Sequence, residues 1–149
     1  MRFAKSLLIL ALVLTSAGSV AAQSARHFTR PREAVDAMVA AVAARDADAM
    51  AGLYADDGII LGPNQPLIGG RQAIRDAWLR NFAGGYSALT ILQLRTEVGT
   101  DRAASVMVWE ATIAPPGQAV QTVRGRSILY AMRQPEGWII SADMWQPAP

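Results

Sequence analysis

Four long runs rich in β-branched and aromatic residues fill the second half of the chain: Ala88 to Val98, Arg102 to Ala114, Val120 to Arg133 and Trp138 to Trp145. Only Gly99-Thr100-Asp101, Pro115-Pro116-Gly117-Gln118 and Gln134-Pro135-Glu136-Gly137 separate them. Strands joined by such short turns must be antiparallel neighbours, because a parallel crossover needs about a dozen residues or more. The runs therefore predict an antiparallel meander, and everything before it must pack against that sheet.

What comes before reads as helix. Pro31 suits a first helical turn, Glu33 and Asp36 sit where the helix dipole favours acids, and Val35, Met38, Val39 and Val42 recur at helical spacing, which predicts a helix ending near Arg45. Asp46 or Asp48 can cap a second, shorter helix through Ala49 to Tyr54, with Met50, Leu53 and Tyr54 on one face. Asp56-Asp57-Gly58 breaks it, Ile59-Ile60-Leu61 reads as a short strand and Pro66-Leu67-Ile68 as another extended piece. Gly69-Gly70 opens a third helix from Arg71 to about Phe82, burying Ile74, Ala77, Trp78 and Phe82. Helices first and strands afterwards define an α+β domain, residues 30–147, preceded by a flexible lead at 23–29.

Residues 1–22 have the three parts of a secretory signal: Arg2 and Lys5, an apolar stretch from Leu7 to Leu14, and Val20-Ala21-Ala22 before Gln23. The apolar core is only about half the roughly 20 residues a membrane span needs, so cleavage after Ala22 is expected and an uncleaved anchor is the alternative. The cleaved chain is expected to be periplasmic or secreted and to have no further membrane attachment. Its loss of Arg2 and Lys5 brings 14 basic and 12 acidic residues to 12 of each, so its net charge points to neither nucleic acid nor an anionic surface. With no cysteine, the domain must rest on its core. No cysteine and one histidine exclude a zinc site built from those residues, and a Ser-His-Asp triad would need His27, in the N-terminal lead.

Leu53-Tyr54-Ala55-Asp56-Asp57-Gly58, then Gly69-Gly70-Arg71-Gln72-Ala73-Ile74-Arg75 with Trp78, and finally Gly137-Trp138-Ile139-Ile140 with Ala142-Asp143-Met144-Trp145, follow one another in an order that resembles the SnoaL-like, or nuclear transport factor 2-like, proteins. The match runs from about Arg32 to Trp145. The resemblance implies a cone, a strongly curved antiparallel sheet wrapped around the helices with a hydrophobic pocket between them. It implies no single reaction, since such proteins include cyclases, isomerases, dehydratases, non-catalytic binders and assembly domains. It also implies a homodimer formed through the outer face of the sheet.

Turn lengths set an expected strand register. A loop centred on Pro116-Gly117 puts Trp109 against Arg124 and Met107 against Arg126, and the turn at Pro135-Glu136 puts Arg126 near Trp145 and Ile128 near Asp143. Met107, Trp109, Arg124, Arg126, Ile128, Tyr130, Asp143 and Trp145 then share one face, although a one-residue slip would reverse a whole strand. That face offers mostly apolar walls with a few polar groups, as a ligand pocket needs. The opposite face, with Val106, Val108, Val123, Leu129, Trp138 and Ile140, is as apolar and is the alternative.

The expected ligand-binding set is Tyr54, Asp57, Trp78, Phe82, Trp109, Arg126 and Trp145, with Asp143 and Tyr54 as catalytic candidates and neither metal nor cofactor required. Asp143 is either a proton-shuttling base in a dry pocket or the partner of Arg126 in an ion pair. Asp57 either faces the pocket or bonds nearby backbone in a turn. Three functions remain open: a binder of a small apolar or carbonyl-containing molecule, a metal-free acid–base enzyme, and a homo-oligomeric interaction module.

Overall fold

The computed structural model describes residues 24–148, so the proposed signal at 1–22 lies outside the described residues. Helices α1 (Glu33–Ala44) and α2 (Ala47–Gly52) precede strands β1 (Tyr54–Leu61) and β2 (Ile68–Gly69). Helix α3 (Arg71–Ala83) then leads into β3 (Tyr86–Val98), β4 (Arg102–Ile113), β5 (Gln121–Gln134) and β6 (Gly137–Pro147). The strands form one curved, open sheet in the order β2-β1-β6-β5-β4-β3. The meander from β3 to β6 is antiparallel throughout, as the short turns require, and β1 joins it in parallel beside β6.

Local chemistry explains the helix boundaries. The Asp46 side chain accepts the Ala49 N–H at 2.8 Å and so caps α2. Arg45, in the left-handed conformation, ends α1. Val35, Met38 and Val42 are buried as the helical spacing predicts. Helix α1 packs on β3 and α3 on β1 and β3, so both lie over the inner face of the sheet.

Three expectations are corrected. Helix α2 stops at Gly52, and Tyr54 opens β1 instead of ending the helix; it pairs with Ile140 of β6, and an irregularity between Tyr54 and Ile59 absorbs the polar Asp56-Asp57 step. Tertiary pairing here overrides a segment with little strand propensity of its own.

The lead at 23–29 is docked where it is described: Phe28 is buried and exchanges two backbone hydrogen bonds with Trp138, at 2.9 and 2.8 Å, while the His27 ring bonds the Gln134 side chain at 2.9 Å.

The third correction concerns β5. Trp109 lies opposite Gly125 and Met107 opposite Ser127, one residue away from the expected register. The reason is that Ala119 and Val120 stay outside the ladder after the Pro115–Gln118 turn, so pairing starts at Ile113 and Gln121. A second slip, between Tyr130 and Ala131, moves Trp145 opposite Ser127 and Asp143 opposite Leu129. Arg124, Arg126, Ile128 and Tyr130 are therefore on the outer face. The two slips cancel between β4 and β6, which leaves Met107, Trp109, Asp143 and Trp145 together on the inner one.

Candidate functional site

The inner face and the helices enclose a cavity of about 300 Å³. Met38 of α1, Ala77 and Trp78 of α3, Tyr86 and Leu89 of β3, and Met107 and Trp109 of β4 give it apolar walls. Trp145 and Asp143 of β6 and Ser127 of β5 close the sheet side, and Gln65, Arg80 and Asn81 contribute polar side chains from exposed positions.

Of the expected set, Trp78, Trp109, Trp145 and Asp143 line this cavity. Phe82 does not; it is buried behind Trp78, with ring centroids 5.5 Å apart. Tyr54 is fully buried and stands outside the lining, where its hydroxyl donates to Asp143 Oδ2 at 3.1 Å. Asp57 is exposed on β1 and plays no part in the cavity. Arg126 is exposed on the outer face, so the expected ion pair with Asp143 does not form. Arg124, on that same face, pairs instead with Glu110 at 3.2 Å.

Asp143 is thus a carboxyl group, 6% exposed, with one oxygen bonded to Tyr54 and the other, Oδ1, buried without a hydrogen-bond partner. Burial pushes it up to about 7, against a smaller downward pull from the Tyr54 hydrogen bond. Burial raises Tyr54 in turn, reinforced by the charge of Asp143, and Tyr86 is raised by the same two causes in the same order. Tyr86 and Asp143 both line the cavity, so the phenol and the carboxyl face the same space.

Three features of the site escape the sequence reading. Tyr86, at the first position of β3, packs edge-on against Trp78 with centroids 5.4 Å apart. Ser127 accepts the Trp109 indole N–H at 2.8 Å, which satisfies a buried donor and fixes the ring. Gly125 makes room for that ring: a methyl group there would overlap the six-membered ring of Trp109. A glycine inside a strand is a sign of close approach, and that is the signal that could have found it. Register errors hid Ser127, and nothing in the sequence marks Tyr86.

The shared sequence strings have structural duties. Arg71 Nε donates to the Tyr54 carbonyl at 2.8 Å, and its guanidinium pairs with Asp56 at 2.8 Å. Together with the Gly70 N–H bonded to the Gly58 carbonyl at 2.9 Å, this ties the start of α3 to β1 and positions Tyr54 behind Asp143. Among the described residues no cluster of His, Cys, Asp or Glu could hold a metal ion, and no helix is long and apolar enough to cross a membrane.

A family model for the SnoaL-like domain matches residues 35–134, and the chain belongs to that family. The fold matches a ketosteroid isomerase-like protein from Erwinia carotovora atroseptica (TM-score 0.67, 19% identity, 79% of this chain and 94% of that one). It also matches a nuclear transport factor 2-like superfamily protein from Salmonella enterica serovar Typhimurium (TM-score 0.70, 14% identity, 78% and 87%). A third match is an NTF2-like protein with a cystatin-like fold from Novosphingobium aromaticivorans (TM-score 0.67, 19% identity, 78% of each). At these identities the likeness concerns the fold alone. A sequence search of curated proteins finds no match.

Proposed function

We propose that the protein binds a small, mostly apolar molecule in the inner cavity and orients it through Asp143. Asp143 carries this reading: a buried carboxyl with an unpartnered oxygen is costly unless something bonds it, and here it sits in the wall of a cavity otherwise lined mainly by apolar and aromatic groups. A ligand that binds only the folded chain raises its melting temperature. Thermal-shift screening of the protein from Gln23 onward should therefore find apolar compounds with one polar group that stabilise it. A screen in which no such compound does so overturns the proposal.

A second reading, an acid–base enzyme acting on a carbonyl compound, rests on the carboxyl being poised near 7, where it can take and return a proton. Asp143→Asn would then lower turnover at least about a hundredfold with the fold intact. Tyr54 has its hydroxyl engaged with Asp143, so on this reading it acts as a positioning group.

We further propose export, supported by Arg2, Lys5, the apolar stretch from Leu7 to Leu14 and the small residues before Gln23. Mass spectrometry of the exported protein should give Gln23 as its first residue, and retention of Met1 would overturn cleavage. Association of two copies through the outer sheet face is proposed from the apolar residues exposed there.

A further inference from the structure

We propose that the ligand of this cavity is a lipophilic amine, bound as its ammonium ion against Asp143 and the aromatic walls; this rests on the cavity being a binding site. Trp78 and Tyr86 form one aromatic pair in the wall and Trp109 and Trp145 another, with the latter centroids 6.1 Å apart. Aromatic faces carry negative potential and attract cations. Asp143, two residues from Trp145 and on the same strand face, adds a carboxyl whose Oδ1 has no partner. The walls and the acid therefore favour the same kind of guest, a positive charge on an apolar body.

The groups around Asp143 leave that preference in place. Tyr54 faces it from β1 and Tyr86 from β3, and both phenols are neutral because burial raises them. Strands β4 and β5 present Trp109, Ser127 and Leu129, and α1 presents Met38, none of which titrates in the accessible range. Arg71 directs its guanidinium to the Tyr54 carbonyl and to Asp56, and Arg126 is on the outer face. Arg80, an exposed residue of α3, is the one cation among the described cavity-lining residues. An ammonium ion entering the interior would let Asp143 ionise against a partner, which a neutral or anionic guest cannot do.

The test compares three probes of one shape, phenylbutylamine, phenylbutanol and phenylbutyrate, by calorimetry on the wild type and on Asp143→Asn. At pH 8 the amine should bind at least about tenfold more tightly than the alcohol, and the butyrate most weakly. Only ionised Asp143 holds the ammonium, which itself stays charged below about pH 10. Because the carboxyl titrates near 7, amine affinity should fall roughly tenfold from pH 8 to pH 6 while that of the alcohol holds. Asp143→Asn should remove the amine's advantage over the alcohol, because the neutral amide no longer distinguishes the ammonium from the hydroxyl. Alcohol or butyrate binding as well as the amine would overturn the amine while preserving the cavity as a site; no binding by any probe would overturn both. The pH arm needs no variant, so a failure of Asp143→Asn to fold does not shield the proposal.

Discussion

The Tyr54 hydroxyl reaches from β1 to Asp143 of the adjacent parallel strand β6 and donates to Oδ2 at 3.1 Å, with both side chains buried. The bond favours the ionised acid, whereas burial disfavours it more strongly. Removing the hydroxyl should move the balance further towards the neutral form.

Tyr54→Phe is therefore expected to raise the Asp143 titration above about 7 and to destabilise the fold at pH 8 by about 1–3 kcal/mol, the cost of a buried acceptor losing its donor. Carbon NMR of the Asp143 carboxyl across pH reads the first effect and chemical denaturation the second. An unchanged titration would reduce Tyr54 to a packing residue.

Asp143 should also make stability depend on pH, in a direction unlike that of most carboxylates. Its folded value, about 7, lies above the ordinary 3.8, so between these values the folded chain holds more protons than the unfolded one. The contribution is fully present below about 4, is lost as pH rises through 7, and is level above that. The whole excursion is on the order of a few kcal/mol. Melting temperatures of the wild type and Asp143→Asn, measured at pH 5 and pH 8, should show the variant gaining relative to the wild type at pH 8. Parallel profiles would mean that Asp143 is not desolvated.

The fold was legible because its strongest signal, long strands with short turns, is also the one that tertiary context rarely overrides. The α+β order, the capping Asp46 and the buried stripe of α1 follow from local chemistry and stand as expected. Half of the site was legible for a related reason: alternation within β4 and β6 keeps Met107 with Trp109 and Asp143 with Trp145, whatever β5 does. Arg126 was misplaced because two unpaired residues in a loop and one irregularity in β6 each shift register without leaving a mark in composition. Tyr54 and Phe28 were misplaced because pairing with β6, and not local propensity, makes them extended.

Gly125 gives a sharper test of how the site is built. Gly125→Ala places a methyl group against the Trp109 ring, so the indole must turn and its N–H must leave Ser127. Overpacking of this kind costs about 1–3 kcal/mol, and stranding a buried donor costs a similar amount. The melting temperature should fall and tryptophan emission should move to longer wavelength, with Ser127→Ala reproducing part of the loss without the overlap. A Gly125→Ala protein with unchanged emission would show that the indole does not need this space.

The outer sheet face carries the last prediction. Leu61, Met144, Ile128 and Val106 are cross-strand partners in one row over β1, β6, β5 and β4, and their exposures are 37, 54, 43 and 49%. Tyr130, two residues from Ile128, extends the apolar area at 42% exposure. A contiguous row of this kind is what association covers, and a two-fold axis through it would set the same residues of two copies against each other. Light scattering of the protein from Gln23 onward should give the mass of a dimer, and Ile128→Lys should convert it to a monomer with its cavity intact. Lysine is the better choice because Arg126 stands two residues away on the same face, where a new carboxylate could find a cation and hold the copies together. An exposed position tolerates the change within roughly 0.5 kcal/mol of intrinsic stability. Loss of the dimer with retained ligand response would therefore assign Ile128 to the interface, and a wild-type monomer at high concentration would remove the outer face from any role in self-association.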